Sequence, residues 1–396
     1  MATPCLRNAN SCNVGLEHPT IEECLKVWIK TFASWGDSLT PAVHLKESLY
    51  LTSIPLAKDG GMTSWILTDK NLPPNDRPIL SSCETFRKRS LASNAEGDVK
   101  DSIVHGVASV FCFLEQRGRG YPSRMMKELV TVLRTWQGNG LECVGSILYS
   151  DIGKSYYGKL GWHAATTNGH YEFKPKQIPW SPLTKEVRYG DLDALCKKDE
   201  SMVRKAMAVP ADDIKTRVAI LGDVDHIGWH IGKEKFATRW LFGKVPKAKG
   251  AIAGYPGRQV WAIWTHRYYT SPGVGELENV LYILRLVMEA DPTATRVPGD
   301  DEKEIDEEIE KEQTEYLKAV LEAAQAQAAE WKLDIVKLWD PTPLVKRLLS
   351  KTRTDFKAVE REEDSIASLM WYDDEGGLSN PDASPLLVNN EHYAWL

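Results

Sequence analysis

The chain has 396 residues, 42% of them hydrophobic and 26% charged, with a formal net charge of -6. At roughly 100–200 residues per domain this length predicts two domains, and the hydrophobic fraction excludes a disordered or fibrous chain. No apolar run approaches the ~20 residues that span a bilayer, so no membrane role is expected; mild acidity argues against a nucleic-acid partner, which needs clustered Lys and Arg.

The first residues, MATPCLRNANSCNVGL, show neither an apolar core nor a basic amphipathic face, so no targeting segment is expected. Pro19 to Ala33 has apolar residues Ile21, Leu25, Val27, Trp28 and Phe32 at helical spacing, and a second helix is predicted over Ala42 to Leu51. Met62 to Thr68 and Arg77 to Arg87 read as strands on either side of the turn-rich DKNLPPND. Ile103 to Leu114, β-branched and aromatic, is the best central strand. A helix over Pro122 to Trp136, a strand over Cys143 to Tyr149, a short helix over Lys154 to Leu160 and a strand pair within Trp162 to Phe173 follow. This order is a mixed α/β layer architecture. Prolines and polar residues in KPKQIPWSPLTK place a boundary near 175–184, giving domains 1–178 and 179–396.

Beyond it, helices are predicted within Leu192 to Met207 and Asp225 to Phe242, and strands in Gln259 to Tyr269 and Val280 to Ala290. The acidic run Pro298 to Glu312 reads as a solvated loop and helix face leading into an amphipathic helix over Tyr316 to Trp331. Nine of the fourteen tryptophans follow residue 179, so the second half needs a core of its own or an aromatic-lined pocket. Seven scattered cysteines without a CxxC pair read as reduced thiols of a cytoplasmic protein. No metal is expected: His226 and His230 are four apart, but no third ligand is evident.

The stretch richest in chemistry is FCFLEQRGRGYPSRMM, residues 111–126. A strand runs through Gly118 and Gly120 into a helix with proline in its first turn. Backbone N–H groups at such a helix start suit a pyrophosphate, and Arg117 and Arg119 add charge there. It is neither a P-loop nor a three-glycine dinucleotide fingerprint.

Arg117-Gly118-Arg119-Gly120 between strand and helix resembles motif A of the GCN5-related N-acetyltransferases (GNAT). Tyr156-Tyr157-Gly158-Lys159-Leu160-Gly161-Trp162 resembles their motif B. Glu115 stands where the family commonly has Gln or Arg. The segments SCETFRK (82–88), ILYSDIGKSYYGKLGW (147–162), EDSIASLMWY (363–372) and NNEHYAWL (389–396) narrow the resemblance to the fungal lysine N6-acetyltransferase family. That family ends in Tyr-x-Trp-Cys, whereas this chain ends Tyr393-Ala394-Trp395-Leu396.

The resemblance implies a GNAT-type mixed sheet with flanking helices and a second, acetyltransferase-like α/β domain that shapes the substrate pocket. It implies acetyl-CoA as cosubstrate and a small-molecule amine, free lysine, as acceptor. Other small amines, and a non-catalytic acyl-CoA-binding regulator, are the alternatives. Carried onto this chain, Cys112, Phe113 and Leu114 would line pantetheine, with the Cys112 amide as oxyanion donor. Arg117, Gly118, Arg119, Gly120 and Tyr121 would hold the pyrophosphate. Tyr157 would contact CoA and protonate its thiolate. Transfer to an ammonium also needs a base. Candidates are Glu84, which could alternatively hold the substrate ammonium, His105, and His392 or the C-terminal carboxylate.

Overall fold

The computed structural model describes residues 7–211, 216–274, 278–289, 291, 306–372 and 385–396. After β1 (Val14–Glu17), Thr20 opens α1 (Ile21–Trp35): its hydroxyl accepts from the Glu23 N–H at 3.2 Å, and Glu23 accepts from the Thr20 N–H at 2.8 Å. This reciprocal cap satisfies two donors the helix cannot pair internally. α2 (Pro41–Leu51) starts on a proline, whose missing N–H costs nothing there. There follow β2 (Met62–Asp69), β3 (Ser81–Asn94), β4 (Val99–Phe111), α3 (Tyr121–Leu133), β5 (Glu142–Ser150), α4 (Ser155–Gly158), β6 (His163–Ala164) and β7 (Gly169–Phe173).

After residue 178 come β8 (Thr184–Val187), α5 (Leu192–Met207), β9 (Thr216–Ile220), α6 (Val224–Phe242), β10 (Gly250–Ala253), β11 (Val260–Arg267) and β12 (Val280–Met288). The chain then forms α7 (Glu307–Glu330), β13 (Ile335–Trp339), α8 (Pro343–Lys351), β14 (Lys357–Glu360), β15 (Ile366–Trp371) and β16 (Leu386–Val388).

Among the described residues these strands form two sheets. One runs β1-β2-β3-β4-β5-β15-β6, with β9 also paired to β3 and β16 to β9; the other runs β14-β7-β13-β12-β11-β10-β8. Each sheet contains an antiparallel meander followed by a helical crossover to a parallel strand. In the first, β4 and β5 are joined through α3; in the second, β12 and β13 are joined through α7. The neighbour of each parallel strand is exchanged: β15, from the far end of the chain, pairs β5, while β7 pairs β13. The boundary expected at 178 lies between β7 and β8, two strands of the same sheet.

α3 packs through Met125, Met126, Leu129, Val130 and Leu133, all buried, against the first sheet. Each such side chain contributes about 1.5–3 kcal/mol of burial. The second core gathers Trp264, Leu281, Ile283, Leu317, Val336 and Leu338. Trp261 and Trp264 are fully buried, so much of the later tryptophan content is core.

Several boundaries differ from the sequence-based reading. β3 begins only at Ser81, after Pro78, and runs on to Asn94; β4 ends at Phe111, leaving residues 112–114 outside the ladder. The short β9, β10 and β13 carry no period-2 signal because they are buried on both faces. Ile21 and Ile29 on α1 are exposed, contrary to a simple core-facing stripe. α7 starts at Glu307 on an Asp306 cap, with Glu307, Glu308 and Glu310 at its positive end. The earlier part of the acidic run, 298–305, lies outside the described residues. The six described cysteines are free thiols, and Cys5 lies outside the described residues. Among the described residues no helix is long and apolar enough to cross a membrane.

Candidate active site

β4 and β5 pair in parallel as far as Val107 and Leu148, and then part. On the other edge of β4 the ladder carries a bulge. Glu84 pairs Ala108 and Ser82 pairs Phe111, so Cys83 faces two residues, Ser109 and Val110. Ser109 sits at φ 53, a conformation costing a non-glycine residue on the order of 1 kcal/mol or more. A cavity of about 500 Å³ opens at this point. Its walls include one face of α1 (Cys24, Val27, Trp28, Thr31, Trp35), one face of α2 (His44, Glu47, Leu51), the bulge, Leu148 on β5, and Asp151 and Tyr157 beyond it. The i, i+3, i+4, i+7 spacing on both helices explains why α1 turns partly polar groups inward: it faces a cavity, not a core.

Glu84 projects from β3 into this cavity. Its two carboxylate oxygens have separate donors: Trp28 Nε1 to Oε1 at 3.2 Å, and Ser109 Oγ to Oε2 at 3.0 Å. The capped start of α1 thus sets the indole that orients the carboxylate, and the strained bulge residue holds its other oxygen. Burial pushes the Glu84 carboxyl above the usual carboxylate range, while the two donors and nearby Lys233 oppose that rise. Tyr157, on α4, also lines the cavity; burial raises its phenol pKa, which keeps the proton on oxygen. Tyr156 packs edge-on against it at 5.0 Å, and its hydroxyl meets Ser123 Oγ at 3.1 Å in the first turn of α3.

The glycine loop lies on the surface between β4 and α3. Gly118 and Gly120 have φ 75 and φ 80, values that favour glycine. A Cβ at Gly118 would meet no atom within 4 Å, and the first turn of α3 has no side-chain cap, so the loop is open to an anionic group. Arg119 is exposed, and Arg117 Nε donates to the Cys112 carbonyl at 3.2 Å. Tyr121 belongs to the core: its ring is buried and its hydroxyl donates to the Arg7 carbonyl at 2.6 Å. Glu115 is exposed beside a buried Gln116.

Cys112, Phe113 and Leu114 do not line the cavity wall. The Cys112 thiol is buried and donates to the Leu80 carbonyl at 3.5 Å, burial raises its pKa, and Leu114 is exposed. The bulge precedes them, at Ser109 and Val110. His105 is buried against the Cys143 sulfur at 3.3 Å, and burial lowers its pKa to about 4. His392 stacks on Tyr282 with centroids 3.7 Å apart and lines only a small adjoining cavity of about 20 Å³. His226 Nδ1 is 3.0 Å from Asp223, and His230 Nε2 is 3.0 Å from the Tyr393 carbonyl. Among the described residues no group of three His, Cys, Asp or Glu is placed to hold a metal ion.

The chain's last residues enter the cavity as Trp395 and Leu396. Lys88 donates to the Ala394 carbonyl at 2.5 Å and Tyr393 donates to the Ile220 carbonyl at 2.6 Å; Arg285 joins Glu391 to Asp199. Five tryptophans line the cavity. Trp28, Trp35 and Trp65 come from the first half, Trp229 and Trp395 from the second. Sequence reading gave no site role to Ser109, Trp28, Glu47, Lys233 or Arg267. Only Ala108-Ser109, small residues in a β-branched strand, carried a local signal.

The family described as LYC1 GNAT-like C-terminal domain matches residues 170–396, more than half of the chain. A lysine acetyltransferase from Yarrowia lipolytica is 25% identical over 276 residues, covering 59% of this chain and 67% of that protein. In structure, the chain is similar to Saccharomyces cerevisiae N-myristoyltransferase with bound myristoyl-CoA: TM-score 0.52, 9% identity, 98% of this chain and 85% of that one. A GCN5-related N-acetyltransferase from Anabaena variabilis superposes with TM-score 0.50 at 12% identity, over 90% of this chain and 72% of that one. Strand exchange, parted β4 and β5, and the match over 170–396 lead to one assignment: the chain belongs to the LYC1 GNAT-like family and is an acyl-CoA-dependent acyltransferase of the GNAT superfamily.

Proposed function

We propose that the protein transfers the acetyl group of acetyl-CoA to the side-chain amine of free L-lysine. The observation that carries this reading is the cavity where β4 and β5 part, whose lining includes Glu84, Tyr157 and the Ser109–Val110 bulge. The name of the Yarrowia lipolytica relative supports lysine as acceptor.

Acetyl-CoA supplies an activated acyl carbon. The open glycine loop, with Gly118, Arg119 and Gly120, holds its pyrophosphate, together with the uncapped start of α3. Glu84 takes a proton from the lysine ammonium, since only the neutral amine attacks. As the C–N bond forms, backbone N–H groups at the bulge hold the developing oxyanion. The C–S bond breaks, and Tyr157 gives its phenolic proton to the departing thiolate. The extra N–H proton of the cationic amide returns to the Tyr157 phenolate, and Glu84 releases the ammonium proton to bulk solvent, so both groups are reset.

The test is purified protein with acetyl-CoA and a panel of amines, with free thiol followed and products weighed by mass spectrometry. Lysine acetylated on its side-chain nitrogen is the expected product. Turnover of other amines with lysine inert would replace the acceptor. No thiol release with any amine would favour the non-catalytic regulator.

A further inference from the structure

The same cavity also carries both signs of charge, from α2, α6 and β11. Lys233 on α6 and Arg267 at the end of β11 line it together with Glu47 on α2. Lys233 Nζ is 3.2 Å from Glu47 and 3.9 Å from Asp37, and Arg267 is 2.8 Å from Asp37. Arg267 lies between the rings of Tyr269 and Trp395, at 5.2 and 5.6 Å, and its Nε has no hydrogen-bond partner among the described residues. A cavity of about 20 Å³, room for one water, adjoins these four charges.

These charges are mostly buried, Glu47 at 2% side-chain exposure, a costly way to tie helices to a sheet when apolar packing would serve. Lys233, Arg267 and Glu47 nevertheless line a cavity large enough for a small metabolite. A diamine or polyamine would bring a second cation against Lys233 and Arg267. A neutral or purely anionic head would leave Glu47 opposed or unused. A zwitterion matches both signs at once.

Resting on the reading that this cavity takes the acceptor amine, we infer that the Lys233–Arg267–Glu47 wall binds the head group of a free α-amino acid. Lys233 and Arg267 receive the α-carboxylate and Glu47 the α-ammonium. The methylene stem then runs past Trp28 and Trp229, which also line the cavity, toward Glu84. The acceptor class is thereby an amino acid with a side-chain amine, not a diamine, a polyamine or a protein lysine, whose α-groups are locked in peptide bonds.

The test compares lysine, 1,5-diaminopentane, which lacks the carboxylate, and 6-aminohexanoate, which lacks the α-amine. Kinetics and calorimetric binding are measured with wild-type protein and with Arg267→Gln and Lys233→Gln. Wild type is expected to prefer lysine over 1,5-diaminopentane by roughly tenfold or more in kcat/KM, as charge-assisted contacts warrant. Each variant should collapse that ratio toward one and weaken lysine binding by a similar factor, with acetyl-CoA affinity and Tm reporting on the fold. Equal use of lysine and 1,5-diaminopentane by wild type, an unchanged ratio in both variants, or no lysine binding would overturn the head-group site. Lysine binding that weakens in the variants without any acetyl transfer would sustain the site and remove the transfer reaction instead.

Discussion

At the residue scale, the proposed transfer turns on two buried groups, an ionised Glu84 that takes a proton and a Tyr157 that gives one. Glu84 works as a base only when ionised, and burial lifts its pKa above the usual carboxylate range. Activity is therefore lost as pH falls through that raised value, and kcat/KM against pH should show an acid limb. Glu84→Gln removes the limb and lowers kcat on the order of 10²-fold or more. Trp28→Phe deletes a donor to the ionised form, so the charged state becomes less favourable and the limb should move to higher pH. An unmoved limb would separate Trp28 from Glu84's titration. Tyr157→Phe should lower kcat on the order of 10²-fold with little change in lysine KM, because a phenylalanine fills the same space without a proton. Wild-type turnover across the whole pH range would take Tyr157 out of the reaction.

At the element scale, α3 serves two ends. Its apolar face was legible from spacing alone, since Met125, Met126, Leu129, Val130 and Leu133 fall on one side and are buried. Its N-terminus, behind Gly118 and Gly120, has no side-chain cap. Gly120→Asp should raise the Kd of acetyl-CoA at least tenfold, measured by calorimetry: it puts a carboxylate at the proposed pyrophosphate site and forces φ 80 on a side chain. Unchanged affinity would move the pyrophosphate elsewhere. α1 shows where periodicity misleads. Of the predicted stripe Ile21, Leu25, Val27, Trp28 and Phe32, Val27 and Trp28 turn toward the cavity along with Cys24, Thr31 and Trp35, while Ile21 is exposed. A helix that roofs a cavity carries polar groups on its inner side, and an amphipathic pattern does not say what lies beneath it.

At the scale of the whole molecule, the exchange of β7 and β15 makes the two sheets depend on each other. Residues 1–178 alone would lack β9, β15 and β16 and would leave β5 with an unpaired edge. That fragment is expected to aggregate or to unfold without a cooperative transition by circular dichroism, and to recover one when residues 179–396 are co-expressed. A monomeric, cooperatively unfolding 1–178 would show that the first sheet tolerates the loss.

The sequence by itself determined the α/β class, the glycine loop between β4 and α3, and Tyr157 after β5. These are local patterns, where short-range geometry dictates which residue types fit. It also singled out Glu84 as a candidate base, though not what orients it. Only the tertiary structure decided that Trp28 and Ser109 hold the two oxygens of Glu84, and that the bulge lies at Ser109–Val110, before Cys112. It alone brought Lys233, Arg267 and Glu47, from a helix, a strand end and another helix, onto one wall with Trp395. Separated along the chain by as many as 220 residues, Glu47 and Arg267 share no periodicity that a sequence could display. Long-range pairing of strands sets their neighbourhood, and pairing across that distance leaves no local trace.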